Sequence, residues 1–177
     1  LGRADCTERQ PFLPGPCHRL AMHERAAEFA QRAREEYGVD VDVHEFDEGT
    51  KTAADAADAV GCDVSQIASS IVVVADDTPV VVITSGANRV DLEKVAVYAD
   101  AADARMAEAD EVKNATGWSI GGVPPICHED GAPVLLDETL LSHDEVWAAA
   151  GTPTAVWPVD PERLVELADA EAADVAE

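Results

Sequence analysis

Lysine is scarce in this chain. Only Lys51, Lys94 and Lys113 occur, and the 12 basic residues face 36 acidic ones, which leaves a formal charge of -24 over 177 residues. Nucleic acid cannot then be held on a broad basic face, because phosphate contacts draw their affinity from released counterions and need many cations. The four cysteines, Cys6, Cys17, Cys62 and Cys127, form no C-x-x-C pair and are too sparse for a disulfide framework, so they read as reduced thiols. No run of about 18 apolar residues exists to span a membrane. There is also no internal repeat, P-loop or G-x-G-x-x-G fingerprint, and Gly86 to Arg89 is too short and too polar to cradle phosphate.

What is present is an ordinary apolar fraction, 47%, in a length that suits one domain with a sizeable core. The acids are dispersed through alanine-rich helical stretches, with no long acidic block. That pattern reads as halophilic adaptation, a surface that stays hydrated in a salt-filled cytoplasm. The rival reading, a solvated acidic tail, is confined to Asp169–Glu177. Residues 1–21 hold Pro11, Pro14 and Pro16, two cysteines and no apolar periodicity, and they lack the charged start and apolar centre of a signal peptide. Either Met22 is the true start or the segment is a disordered extension, and 22–177 is expected to be a single domain.

Along the chain, His23–Tyr37 has apolar residues at helical spacing and ends at Gly38. Val41–Phe46 suits a strand. Thr52–Val60 is a short helix capped by Thr50 or Thr52 and stopped by Gly61. Ser70–Ala75 and Pro79–Thr84 are β-branched runs joined by Asp76-Asp77-Thr78, a hairpin apolar enough to be buried on both faces. Val90–Tyr98 returns to helical spacing after Asn88 or Asp91, Ala104–Ala107 suits a short strand, and Glu108–Ala115 a helix. Ile126–Cys127 and Val134–Leu136 read as a second hairpin around Asp130-Gly131. Glu145–Ala149 and Thr154–Val156 read as strands, and Pro161–Ala168 as a helix with Asp160 at its cap. Without a regular βαβ rhythm, this mixture predicts an α+β fold around a mixed, curved sheet.

The stretch with the most chemical promise is Thr116 to Pro125. Its glycines let the backbone approach a ligand, and its prolines stiffen it and remove N–H groups. Such a loop can aim the N–H groups of Gly121, Gly122 and Val123 at one oxygen, as a developing oxyanion requires. An ordinary Gly/Pro connection has the same composition.

The order of segments separates these readings. Thr50 to Ala57, Ile67 to Val74, Ser85 to Lys94, Thr116-Gly117-Trp118 leading into Gly121 to Pro125, and Leu136 to Leu140 together resemble the YbaK/ProX family of aminoacyl-tRNA deacylases, the prolyl-tRNA synthetase-associated domain. The resemblance runs from about His23 to the C-terminus. It implies a barrel-like sheet flanked by helices and hydrolysis of amino acids wrongly attached to tRNA, with Gly121 to Pro125 on the family's active-site loop. In this chain Ser69 stands where the family carries a lysine, so a neutral hydroxyl replaces a positive charge.

The implied site gathers Gly121, Gly122 and Ser69 as catalytic residues, with Thr50, Ser70, Gly86, Val123, Pro125 and Asp137 contacting substrate. No metal or cofactor is expected. Expected partners are the terminal adenosine and amino acid of an aminoacyl-tRNA and, as a second possibility, a synthetase; neither DNA nor a membrane is. The rival function is a binding module that kept the pocket and lost turnover with the lysine.

Plainer readings stand beside these. Ser69 and Ser70 can simply begin a strand, and Asp137 can start a helical turn ahead of Thr139. Trp118 can be core or stack on an adenine. Cys127-His128 can offer a nucleophile or metal ligands, but adjacent residues rarely face one ion and no third ligand is apparent.

Overall fold

The computed structural model describes residues 23–46, 52–129 and 131–177. Among them are five α-helices and eight strands, in one mixed sheet ordered β1-β7-β6-β2-β3-β5-β8, with β4 pairing β2 outside that path. The fold is α+β.

Most helices begin and end where their side chains dictate. Helix α1, Glu24–Tyr37, is capped by His23 and stopped by Gly38 at φ 69°. In α2, Ala53–Val60, Thr52 and Asp55 form a reciprocal capping box, and Gly61 ends the helix in the left-handed region. Asp91 caps α3, Leu92–Tyr98, and Asp160 caps α5, Pro161–Ala168, with proline in its first turn. Helix α4 spans Ala109–Thr116 and closes on Gly117 at φ 82°.

The sheet is built on β2, Ile67–Ala75, and β3, Thr78–Ser85, paired antiparallel along their length. Asp76 and Asp77 join them with φ values of 46° and 72°, the two positive angles of a type I′ turn, so the loop is one residue shorter than predicted. Burial on both faces holds. Ala68, Val72, Val74, Val81 and Ile83 face the larger core with α1, α4 and α5, while Val73, Ala75, Val80 and Val82 pack against Val95 of α3.

Strand β4, Ala104–Met106, pairs β2 antiparallel, and β6, Val146–Ala149, pairs it parallel. Strand β7, Ala155–Val159, joins β6 to the short β1, His44–Glu45. Only these two residues of the predicted Val41–Phe46 strand form a ladder.

Two expectations are overturned. Val134–Asp137 is a strand, β5, but it pairs β3 and β8 in parallel, and Ile126–Cys127 is not a strand. Cys127 sits at φ 68°, a left-handed angle no strand accommodates, so no hairpin forms around Asp130-Gly131, Asp130 itself lying outside the described residues. Nor is the C-terminal stretch a solvated tail. Glu171–Ala173 forms β8 on β5, Ala176 bridges Val90, and Ala173, Val175 and Ala176 are buried.

Candidate active site

A cleft opens where β2 lacks a neighbour. Pairing with β6 ends at Ala68 and pairing with β4 begins at Val73, both on the edge of β2 that faces away from β3. Between them Ser69, Ser70 and Ile71 have no strand partner on that edge, and these are the residues of β2 whose burial drops. The gap holds a cleft of about 310 Å³. Its lining draws on both faces of the sheet: Thr52, Ala53, Ala56 and Val156 on the side of α2, and Val112 and Val123 on the side of the larger core.

Ser69 and Ser70 both line this cleft, yet strand alternation sets them on opposite faces, Ser70 with Ala68 and Val72 and Ser69 with Ile67 and Ile71. Ser70 Oγ exposes less than 1 Å² and has no hydrogen-bond partner among the described residues.

The Gly/Pro loop supplies the facing wall. Ser119 to Gly122 is a tight turn closed by the Gly122 N–H donating to the Ser119 carbonyl at 3.0 Å, with Gly121 at φ 87°, the positive angle a type II turn requires at its third residue. Gly121 and Val123 line the cleft, and among the described residues their N–H groups have no hydrogen-bond partner. Gly122 lies behind them, its N–H committed to the turn. The loop is pinned downstream too: His128 Nε2 donates to the Pro124 carbonyl at 2.7 Å, and Trp118 Nε1 to the Cys127 carbonyl at 2.9 Å.

The other sequence-selected residues lie elsewhere. Gly86 is not in the cleft wall but behind it: its N–H donates to Ile67, and a Cβ there would come within 2.8 Å of Ala53 Cβ, so close packing demands the glycine. Pro125 lines a different cavity with Tyr37, Ile126 and His128. Asp137, wholly buried, accepts bonds from the backbone N–H groups of Ser85 and Thr139, Asn88 Nδ2 and the Thr139 hydroxyl, and caps the 3-10 turn Glu138–Ser142. Burial pushes its carboxyl up, but these bonds outweigh it and hold the pKa below the usual range. Thr50 and Lys51 lie outside the described residues.

No charged side chain lines the cleft among the described residues; its polar side chains are Thr52, Ser69 and Ser70. Cys127 is buried, and desolvation, with the charge of Glu36 adding to it, pushes its thiol up to about 12, the reverse of an activated nucleophile. Burial lowers the pKa of His128, which pins the loop as a neutral ring. Among the described residues, no cluster of His, Cys, Asp and Glu is placed to hold a metal. Trp118 has no exposed surface, which removes it as a stacking platform. Sequence reasoning missed the half-exposed rim residues Met106 and Ile120, and also Pro153, because only the tertiary fold brings them to one mouth.

The family model for the aminoacyl-tRNA editing domain matches residues 47–167. YwhH of Bacillus subtilis, an uncharacterised protein, is 30% identical over 127 residues, covering 71% of this chain and 80% of its own length. A candidate Cys-tRNA(Pro)/Cys-tRNA(Cys) deacylase of Enterococcus faecalis, EbsC, is 26% identical over 149 residues, 82% of this chain and 91% of that protein. The crystal structure of a candidate trans-editing enzyme for prolyl-tRNA synthetase superposes with a TM-score of 0.82 at 40% identity, covering 88% of this chain and 99% of that one.

Proposed function

This chain belongs to the aminoacyl-tRNA editing domain family, and from that premise we propose that it hydrolyses the ester of a mischarged aminoacyl-tRNA, with the terminal adenosine and its amino acid in the cleft beside β2. The observation that supports this most is the wall of that cleft, where Gly121 and Val123 each keep an N–H free of any described partner on a loop fixed at both ends. Fixed dipoles of this kind stabilise an oxyanion without reorganising as charge develops. The oxyanion role falls to these two residues, and Gly122 shapes the turn that presents them. Ser69 would hydrogen-bond the ribose or the attacking water. The described lining offers no side-chain base, so the attacking water's proton passes through solvent to the ribose oxygen, which leaves as a hydroxyl when the acyl–oxygen bond breaks and the amino acid is released as its carboxylate.

Deacylation of several mischarged tRNAs in molar potassium chloride tests this reading. Turnover that Gly121→Ala abolishes in a folded protein is the expected result, and full activity in that variant removes the loop from the chemistry. A second reading draws on the uncharged cleft and on Ser69 at the family's lysine position: a module that binds aminoacyl-tRNA or a synthetase without turnover. Binding without hydrolysis by the wild type, with activity gained by Ser69→Lys, is its signature.

A further inference from the structure

The start of α1 reaches the loop from 92 residues away and lies outside the segment that the family model matches. One terminal nitrogen of the Arg25 guanidinium donates to the Gly117 carbonyl at the C-terminal end of α4, and the other pairs with Glu28 at 2.6 Å. The planar group lies over the Trp118 ring, its Cζ 4.3 Å from the ring centroid. A cation so placed both satisfies a helix-end carbonyl and draws on the π-face of the tryptophan. Trp118 is buried, edge-on to Phe29 of the same helix, and the next residue, Ser119, begins the turn that carries Gly121.

A second contact closes this arrangement. At Gly151 a Cβ would come within 2.7 Å of the Arg25 carbonyl oxygen and 2.9 Å of Trp118 Cζ3. The residues that follow it, Thr152 and Pro153, press on Gly122, where a Cβ would come within 2.7 Å of Thr152 Cα. The Ser119–Gly122 turn is therefore held between Trp118, which lies under the Arg25 guanidinium, and Gly151–Pro153, whose Gly151 abuts the Arg25 backbone.

We propose that Arg25 is a positioning residue for the loop amides of Gly121 and Val123, acting through Gly117 and Trp118 without touching substrate. The proposal rests on the deacylase reading for its catalytic consequence. A loop displaced by about 1 Å forfeits much of its orientation, which can cost on the order of a hundredfold in rate.

Arg25→Ala and Arg25→Lys in the full chain, measured in molar potassium chloride, test it. Arg25→Ala should lower kcat by about tenfold or more while KM changes little. Lysine keeps the charge but loses the fork and the stacked plane, so Arg25→Lys should recover only part of the rate. Hydrogen exchange of the Gly122 amide, whose bond to Ser119 closes the turn, should accelerate in Arg25→Ala while amides of α5 keep their protection. Wild-type kcat in Arg25→Ala, unchanged exchange at Gly122, or an exchange increase spread evenly over all helices overturns the proposal. If the wild type itself fails to deacylate, the hydrolase reading falls, and Gly122 exchange still decides whether Arg25 holds the loop.

Discussion

Gly122 lies so close to Thr152 that a Cβ on the glycine would stand 2.7 Å from the Thr152 Cα. Its neighbour Gly121 has room, the nearest atom to a Cβ there being Pro153 Cγ at 3.6 Å, but it needs φ 87°. Gly122→Ala must push two backbones apart and should destabilise by roughly 1–3 kcal/mol. Gly121→Ala should lose only about 1 kcal/mol from its left-handed angle. Thermal melting of both, beside deacylation, separates packing from chemistry: the milder substitution should do the greater relative harm to turnover.

Asp137 carries a pH prediction. Its carboxyl is held below the usual range by its hydrogen bonds, so the charged form is favoured in the folded state. The stability this supplies is complete above the unfolded pKa of about 3.9 and is lost as pH falls through the lower folded value. Asp137→Asn should destabilise by roughly 1–3 kcal/mol at pH 7 and by clearly less near pH 3. Denaturant midpoints at the two pH values check this, and an equal loss at both would refute it.

Cys127 is expected to stay inert. With its thiol pushed up to about 12, alkylating reagents at pH 8 should modify it only when the protein unfolds, and Cys127→Ala should retain deacylation. Mass spectrometry of native and denatured samples reads the first expectation. A loss of turnover without a loss of stability would reinstate the thiol as a participant.

Val175 is fully buried beyond β8. Removing two methyl groups by Val175→Ala should cost about 2 kcal/mol, from roughly 0.8 kcal/mol for each plus a cavity term. A neutral result in equilibrium unfolding would return this stretch to the status of a dispensable tail.

The formal charge of -24 implies strong self-repulsion that salt screens, the Debye length shrinking to about 3 Å at 1 M. The melting temperature is expected to climb as potassium chloride is raised toward molar levels. A flat response would mean that the acids lie too far apart for their repulsion to weigh on stability.

Local signals were legible in the chain. Thr52, Asp91 and Asp160 cap helices, and Gly38, Gly61 and Gly117 end them, because these are contests within a few residues. The Ser70–Ala75 and Pro79–Thr84 runs announced the central hairpin by composition alone. Ile126–Cys127 misled because an apolar pair suits a strand and an irregular core segment equally, and the positive φ of Cys127 follows from tertiary contacts. The acidic look of Asp169–Glu177 hid Ala173, Val175 and Ala176, three small apolar residues set among acids. Arg25 gave no signal, since one arginine on an amphipathic helix resembles any other.

The amino-acid sequence determined by itself where the α-helices lie, the central hairpin of the sheet, and that a glycine-bearing turn follows Trp118. Those outcomes depend on backbone freedom, side-chain caps and apolar periodicity, all of which act over short separations. Tertiary structure alone decided that β4 and β6 stop short of each other on one edge of β2, leaving the gap that the loop faces. Where a strand ends against its neighbour depends on helices and turns packed from remote parts of the chain, and no local pattern encodes an opening between two of them.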